Sequence, residues 1–506
     1  MNLKTDDDII QNRKMLLIAG FLTLIAAGIG FAVRAGILPI WSQTYGFTMT
    51  ELGGITGGGL IGFGFVILIT GVLIDWIGYK KLLLIAFVCH IISALMLFAA
   101  TPVFNSSGKA ACYSLMFWSM FVFAVGNGIC EGVINPLTAA IYPKQKTHYL
   151  NILHAGWPAG LVIGGLVAFA AGKVPWEILM ATFLVPVVIY GFIVLKQQFP
   201  KTAAQEGSIS YGGMFANIIG PFFLILLLAH ACVGYVELGT DSWINSITGA
   251  IMKSAALGTT LFIYTSLLMT ALRFFAGPIV HKISSLGLLF VSAIIGAAGL
   301  YLISIGDSVP FMFFAATVYA VGKTFLWPTM LGVVGERFPK SATVAMALLG
   351  CVGMLSAGYL GGPGIGYKQD YFASMYIQEK NKETYERVKA PNENGFLVFP
   401  KITGIDGAKA GMLADSGEKM LSEVALAGEE IGAEKFKGLK AQSDWWESNK
   451  EFATKDAGPV AEAGLHGSRM AIRYTAIVPA TMAVLYLILL GLFKAPKPET
   501  IETNEE

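Results

Sequence analysis

Between residues 15 and 362 the chain is a succession of apolar runs, each about as long as a bilayer crossing, joined by short loops. A helical crossing takes roughly 20 apolar residues, and a soluble core has no use for so many such runs in series. Composition agrees: 55% of the 506 residues are hydrophobic and 13% are charged, against about 25% charged in soluble proteins. The sequence therefore reads as an all-α membrane protein of twelve spans, at 15–41, 52–74, 82–100, 112–141, 149–171, 177–195, 217–247, 254–276, 287–305, 310–335, 342–362 and 471–493. The formal net charge of +2 gives no reason to expect a nucleic-acid partner. The five cysteines lack paired spacing, which argues against a disulfide framework or a metal site, and no cofactor is expected.

Charge placement sets direction. With both termini cytoplasmic, the inside loops hold Arg13, Lys14, Lys80, Lys81, Lys144, Lys146 and further basic residues, whereas the short outside loops hold only Lys109, Lys173 and Lys253. That asymmetry follows the positive-inside rule and predicts a multi-pass protein of the inner (cytoplasmic) membrane. The opening "MNLKTDDDIIQNRK" precedes an apolar run too long for a leader's core, so that run is read as a permanent span. Residues 366–470 stand apart, with 31 of the 68 charged residues. Helical spacing in "GEKMLSEVALAGEEIGAEKFKGLKAQ" predicts a helical extracytoplasmic cap there. The resulting division is a first half 1–200, a linker 201–215, a second half 216–365, the insert 366–470, the last span 471–493 and a tail 494–506.

The halves echo each other. "GVLIDWIGYKK" (71–81) follows span two and "GPIVHKISSLG" (277–287) follows span eight. "GNGICEGVINPLTAAIYP" (126–143) and "AVGKTFLWPTMLGVVGERFP" (320–339) align at Pro136 and Pro328, a shift of 192 residues. Residues four apart share a helix face, so span four presents Asn127, Glu131 and Asn135 as one polar stripe, and span ten presents Tyr319, Lys323 and Trp327. A charge facing lipid costs about 2.5–3.5 kcal/mol even on lenient scales. Both stripes must face each other or a watery cavity.

Gly71, Asp75, Gly78, Lys80 and Lys81 resemble the loop signature of the major facilitator superfamily, with Trp76 and Tyr79 in place of basic residues. The resemblance implies two pseudo-symmetric six-helix halves with a substrate site between them near the midplane, lined by spans one, four, seven and ten. Span one then contributes Arg34, and span seven contributes Glu237, Asp241 and Asn245. Gly71, Asp75, Gly78 and Lys80 would belong to the gating loop, and Arg273, near the inner end of span eight, would be a gate or loop anchor that snorkels. "CEGVINPLTAAIYPKQKTHYLNILHAGWPAGLVIGG" is similar to the fucose/glucose–proton symporter family, matching at Glu131, Asn135, Pro136 and Asn151. That family lacks residues 366–470, and its best-known branch has an acid in span one where this chain has Arg34.

A carboxyl in a dry cavity can load and release a proton in the working range, which marks Glu131 as the coupling site; the alternative is a fixed ion pair with Lys323 or Arg34. Arg34, Lys323, Glu131 and Glu237 sum to about zero charge. A neutral polar solute such as a sugar is expected as partner, bound by Arg34, Asn127, Asn135, Asn151, Glu237, Asp241, Tyr319, Lys323 and Trp327. The sequence thus reads as a monomeric secondary transporter working by alternating access with proton symport, with sodium left open. Two alternatives are an organic-anion transporter using Arg34 and Lys323, and a non-transporting substrate sensor signalling through the cap. No nucleophile elbow, phosphate loop or metal spacing points to an enzyme.

Overall fold

A computed structural model describes residues 6–45, 49–170, 173–202, 211–428 and 437–492. Lys109, named above as an outside charge, has a side chain outside that description. The first half comprises α1 (Asp6–Tyr45), α2 (Met49–Ile77), α3 (Tyr79–Phe98), α4 (Ala100–Ile141, broken at Gly108), α5 (Lys146–His154), α6 (Gly156–Ala168), α7 (Trp176–Ala181) and α8 (Leu184–Lys196). The second half comprises α9 (Tyr211–Ile218), α10 (Pro221–Gly234), a π-turn (Tyr235–Gly239), α11 (Thr240–Ile251), α12 (Ala255–Arg273), α13 (Ala276–Ile283), α14 (Ser285–Ile305), α15 (Val309–Lys323), α16 (Leu326–Arg337) and α17 (Ala342–Leu355). A second π-turn (Ser356–Gly361) leads from α17 into α18 (Gly362–Lys380).

Eleven described helices are long and apolar enough to cross a membrane. A twelfth, shorter apolar stretch, Gly62–Ile77, is the end of α2, where the sequence reading sets span two. Close packing follows from small residues. A Cβ on Gly160 would lie 2.4 Å from the carbonyl of Ile25 and one on Gly28 would lie 2.5 Å from that of Trp157, so α1 and α6 meet backbone to backbone. The halves meet along α2 with α17, α6 with α12, and α5 with α16.

Three boundaries differ from the sequence reading, the first being α9, which begins at Tyr211 inside the linker expected at 201–215, whose residues 203–210 lie outside the described residues. Span eleven was expected to end at 362, but helix continues as α18 to Lys380. Span twelve was expected to begin at 471, but α23 (Ala453–Thr475) precedes α24 (Ile477–Leu492). The amphipathic ends of α18 and α23 pair instead of stopping at the apolar boundary: a Cβ on Gly467 would lie 2.4 Å from the carbonyl of Gln369, and Tyr376 donates to Glu462 at 2.7 Å. Between them lie α19 (Lys382–Val388), a hairpin of β1 (Lys389–Asn394) and β2 (Ile402–Ile405), α20 (Gly407–Ala414), α21 (Glu418–Ala427) and α22 (Lys437–Asn449). Ile377, Tyr385, Val388, Met412, Met420 and Trp446 give this insert its own core. The strands are an addition to the helical cap expected from spacing.

Candidate functional site

Two prolines decide how the centre of the molecule is wired. Pro158 has no N–H for the carbonyl of His154, four residues earlier, and Pro328 has none for that of Thr324. One side chain takes both freed carbonyls. Arg273 donates from Nη1 to His154 O at 2.5 Å and from Nε to Thr324 O at 2.8 Å. Its third arm, Nη2, donates to Glu237 Oε1 at 2.7 Å. The other oxygen of Glu237 accepts from the backbone N–H of Trp327 at 3.3 Å.

Arg273 therefore does not snorkel, as its position near the end of span eight suggested. It is 1% exposed and binds parts of spans five, seven and ten together. The reason is energetic: three acceptors that the helices cannot satisfy themselves outweigh the pull of the nearby interface.

Beside this hub sits the polar stripe of span four. Glu131 is 5% exposed, and its Oε1 lies 3.7 Å from Nε2 of His154. Asn135 reaches back from Nδ2 to the Glu131 carbonyl at 2.9 Å, and its Oδ1 is 2.8 Å from the same His154 nitrogen. Asn127 is held by His90, whose Nε2 is 3.1 Å from Asn127 Oδ1 and whose Nδ1 is 2.9 Å from the Tyr190 hydroxyl.

Glu131, Asn127, His154, Trp157, Glu237, Arg273 and Trp327 share the wall of one cavity with Thr23, Phe63 and Met354. About 50 Å³ of it is wide enough for the centre of a water molecule. A few waters fit as it stands.

The remaining sequence candidates are distributed around this cavity, and not all where the sequence reading set them. Lys323 bonds Asp241, not Glu131, and lies 5.1 Å from the Tyr319 ring. Tyr319 donates to the carbonyl of Val236 at 2.8 Å. Arg34 does not reach Glu131 either: it lies 3.3 Å from the sulfur of Met120 and 5.7 Å from the Phe31 ring, away from the cavity wall. Glu237, Asp241 and Asn245 take different partners, and a π-turn at Tyr235–Gly239 interrupts the helix that carries them. Glu237 goes to Arg273, Asp241 to Lys323, and Asn245 accepts from Thr259.

Asn151 lies beyond the cavity, where it joins the halves by donating to Thr329 Oγ1 at 3.0 Å. Around it are contacts the sequence reading missed. Thr147 donates to Glu336 at 2.5 Å, Lys146 to the carbonyl of Gly335 at 2.8 Å, and the Gly277 N–H to His148 at 3.0 Å. Their only sequence signal is polarity next to the basic turns. They tie the halves at the end that carries those turns.

In the loop after span two, Gly78 has φ +86°, the left-handed region that suits glycine. A Cβ on Gly71 would lie 2.3 Å from Ala347, so α2 can press on α17 there. Asp75 is buried, and Lys80 donates to the carbonyls of Leu195 and Gln197 at the end of α8.

Residues 18–361 match the Major Facilitator Superfamily. The chain belongs to that superfamily. This transporter is 22% identical over 347 residues, 66% of its length and 82% of the relative's, to a Bacillus subtilis (strain 168) protein, NiaP, named for a proposed niacin/nicotinamide transport activity. Its fold is similar to that of the transporter FucP in the outward conformation, with TM-score 0.60 and 16% identity over 72% of this chain and 93% of that one. It is equally similar to the proton:xylose symporter XylE bound to a bromodeoxyglucose, with TM-score 0.60 and 13% identity over 74% of this chain and 91% of that one.

Proposed function

We propose that this transporter imports a small neutral polar solute of the sugar or polyol class together with a proton, by alternating access between its halves. One observation carries the reading. Among the described residues Glu131 is the cavity carboxyl that no arginine or lysine bonds: Glu237 has Arg273, Asp241 outside the wall has Lys323, and Glu131 has the His154 imidazole at 3.7 Å and the side chains of Asn135 and Trp327. An acid that no cation bonds directly, between two halves that rock against each other, is free to gain and lose a proton as water access alternates.

With Glu131 protonated, the wall carries the neutral Glu237–Arg273 pair and no net charge. The faces of Trp157 and Trp327 then suit the C–H face of a ring, and Asn127 suits its hydroxyls. The solute-binding proposal narrows to the wall residues Asn127, Glu131, Glu237 and Trp327, with Asn135 and Tyr319 behind them. The organic-anion alternative loses its basis, since Lys323 is already bound to Asp241 and Arg34 does not face the cavity. The transporter would act as a monomer in the inner membrane with both termini inside, the charged insert outside, and α2 completing a set of twelve spans.

The test is a thermal-shift panel on purified protein with sugars, polyols, nucleosides, carboxylates and nicotinamide. Any stabilising solute is then added to cells in weakly buffered medium. A sugar or polyol should stabilise the protein, and its uptake should make the medium more alkaline. Stabilisation by carboxylates alone, or uptake with no proton movement, would overturn the reading.

A further inference from the structure

His154 is used twice at the centre of the molecule, once through its ring and once through its carbonyl. The ring's hydrogen position follows from Asn135. The Asn135 amide has one end on the Glu131 carbonyl at 2.9 Å, and only its NH₂ can donate there. The amide oxygen must therefore be the end facing His154, at 2.8 Å. An amide oxygen accepts and never donates, so Nε2 of His154 carries a hydrogen. That same N–H is 3.7 Å from Glu131 Oε1.

We propose that His154 is a positioning residue for the proton step and not a proton carrier: Asn135 fixes its Nε2–H as a donor, which turns to the Glu131 carboxylate whenever the acid is empty. The inference rests on the reading of Glu131 as the coupling acid. A nitrogen that already holds a hydrogen cannot take the Glu131 proton, so that proton leaves by water. A carboxylate gains more than a neutral acid from an N–H donor, so the ring reads the acid's state.

The carbonyl of the same residue, freed by Pro158, holds Arg273 of the other half. The groups facing Glu131 are thus His154 and Asn135 from the first half and Glu237, Arg273 and Trp327 from the second. His154 is where the state of the acid meets the bond between the halves.

The test needs no substrate. The full chain, labelled with nitrogen-15 histidine and placed in nanodiscs, is titrated while nitrogen shifts report the tautomer and infrared bands report protonated carboxyls. His154→Gln assigns the histidine signal and Glu131→Gln assigns the carboxyl band. His154 should stay in the Nε2–H tautomer and neutral through the whole carboxyl transition. His154→Gln, which keeps a donor at that place, should leave the carboxyl midpoint within about 0.3 pH unit. His154→Leu, which removes the donor, should displace it by about one unit or more, since a hydrogen bond to a charged group is worth about 1.5–3 kcal/mol. A Nδ1–H tautomer, a histidine that protonates in step with the acid, or a His154→Gln midpoint displaced as far as that of His154→Leu would overturn the proposal. If no carboxyl band disappears in Glu131→Gln, the coupling reading fails, whereas the tautomer result still judges His154.

Discussion

Two arginines in this protein each bond a buried carboxylate, and they do so in opposite ways. In the insert, Arg387 grips Asp456 with two arms, Nε to Oδ2 at 2.6 Å and Nη2 to Oδ1 at 2.7 Å, while Thr384 adds a third bond at 2.6 Å. In the cavity, Arg273 gives Glu237 one arm and spends the other two on carbonyls that prolines have freed in spans five and ten. The first arrangement closes on itself and fastens α19 to α23. The second is spread over both halves, so no single acceptor holds it. A fork on one carboxylate suits a permanent joint. Arms shared between two halves suit a joint that can open and re-form, as the proposed alternating access requires.

The comparison breaks most readily at the arginines themselves. Arg273→Lys should reduce solute uptake at least about 100-fold, because one ammonium nitrogen cannot reach the three acceptors that Nε, Nη1 and Nη2 reach from separate atoms, and each orphaned group costs about 1–3 kcal/mol. Arg387→Lys should leave uptake within about twofold. Comparable losses in both variants would mean that the two sites are not functionally distinct.

A smaller effect should appear at the partner acid. Asp456→Asn should loosen the insert by about 2 kcal/mol, the scale of hydrogen bonds to a charged group. Deuterium exchange would read this as faster labelling of 382–394 and 402–405 with unchanged exchange in α1–α6. Acid should act on the same joint. Burial pushes the Asp456 carboxyl up, but bonds from Arg387 and Thr384 outweigh it and hold the carboxyl below its ordinary range. A lowered folded value stabilises above the unfolded value and is lost as pH falls through the folded one. The insert should keep full protection at about pH 5 and lose it progressively below about pH 4. Protection that stays unchanged as pH falls well below about pH 4 would remove Asp456 from the joint.

Pro328→Ala sharpens the comparison with the smallest change. It returns an N–H to the Thr324 carbonyl, which then competes with Arg273 for that acceptor. Turnover should change by about threefold or less, with little effect on solute affinity, in a vesicle exchange assay. A complete loss of exchange would mean that Pro328 shapes the cavity rather than frees a carbonyl.

The sequence made some of this arrangement legible. Asn127 and Glu131 line the cavity because four-residue spacing on an unbroken helix keeps its face, whereas in span ten the break between α15 and α16 leaves Trp327 on the wall and Lys323 off it. The same rule did not give the partners in span seven, where a π-turn at Tyr235–Gly239 interrupts the helix and Glu237 goes to Arg273 while Asp241 goes to Lys323. Arg273 was misplaced for a related reason. Counting residues along a span gives depth, but the carbonyls that draw Arg273 inward belong to other helices, and the effect of Pro158 and Pro328 shows only once those helices meet. Lys323 and Glu131 lie opposite in the repeat, yet each found a nearer partner, in Asp241 and His154. The insert was legible as a folded unit through its helical spacing, but not its strands, whose segments "KAPNEN" and "ITGI" carry little alternation.

The central claim is that Glu131 is the proton's site and not half of a fixed pair, and Glu131→Gln tests it most directly. Glutamine keeps the size of the protonated acid and cannot lose its neutral state. Reconstituted into vesicles with a solute found by the panel, this variant should bind and exchange that solute across the membrane at close to the parent rate. Under an imposed pH gradient it should not accumulate it, because loaded halves can still reorient while the proton step is gone. Full concentrative uptake by a stable Glu131→Gln protein would contradict the account.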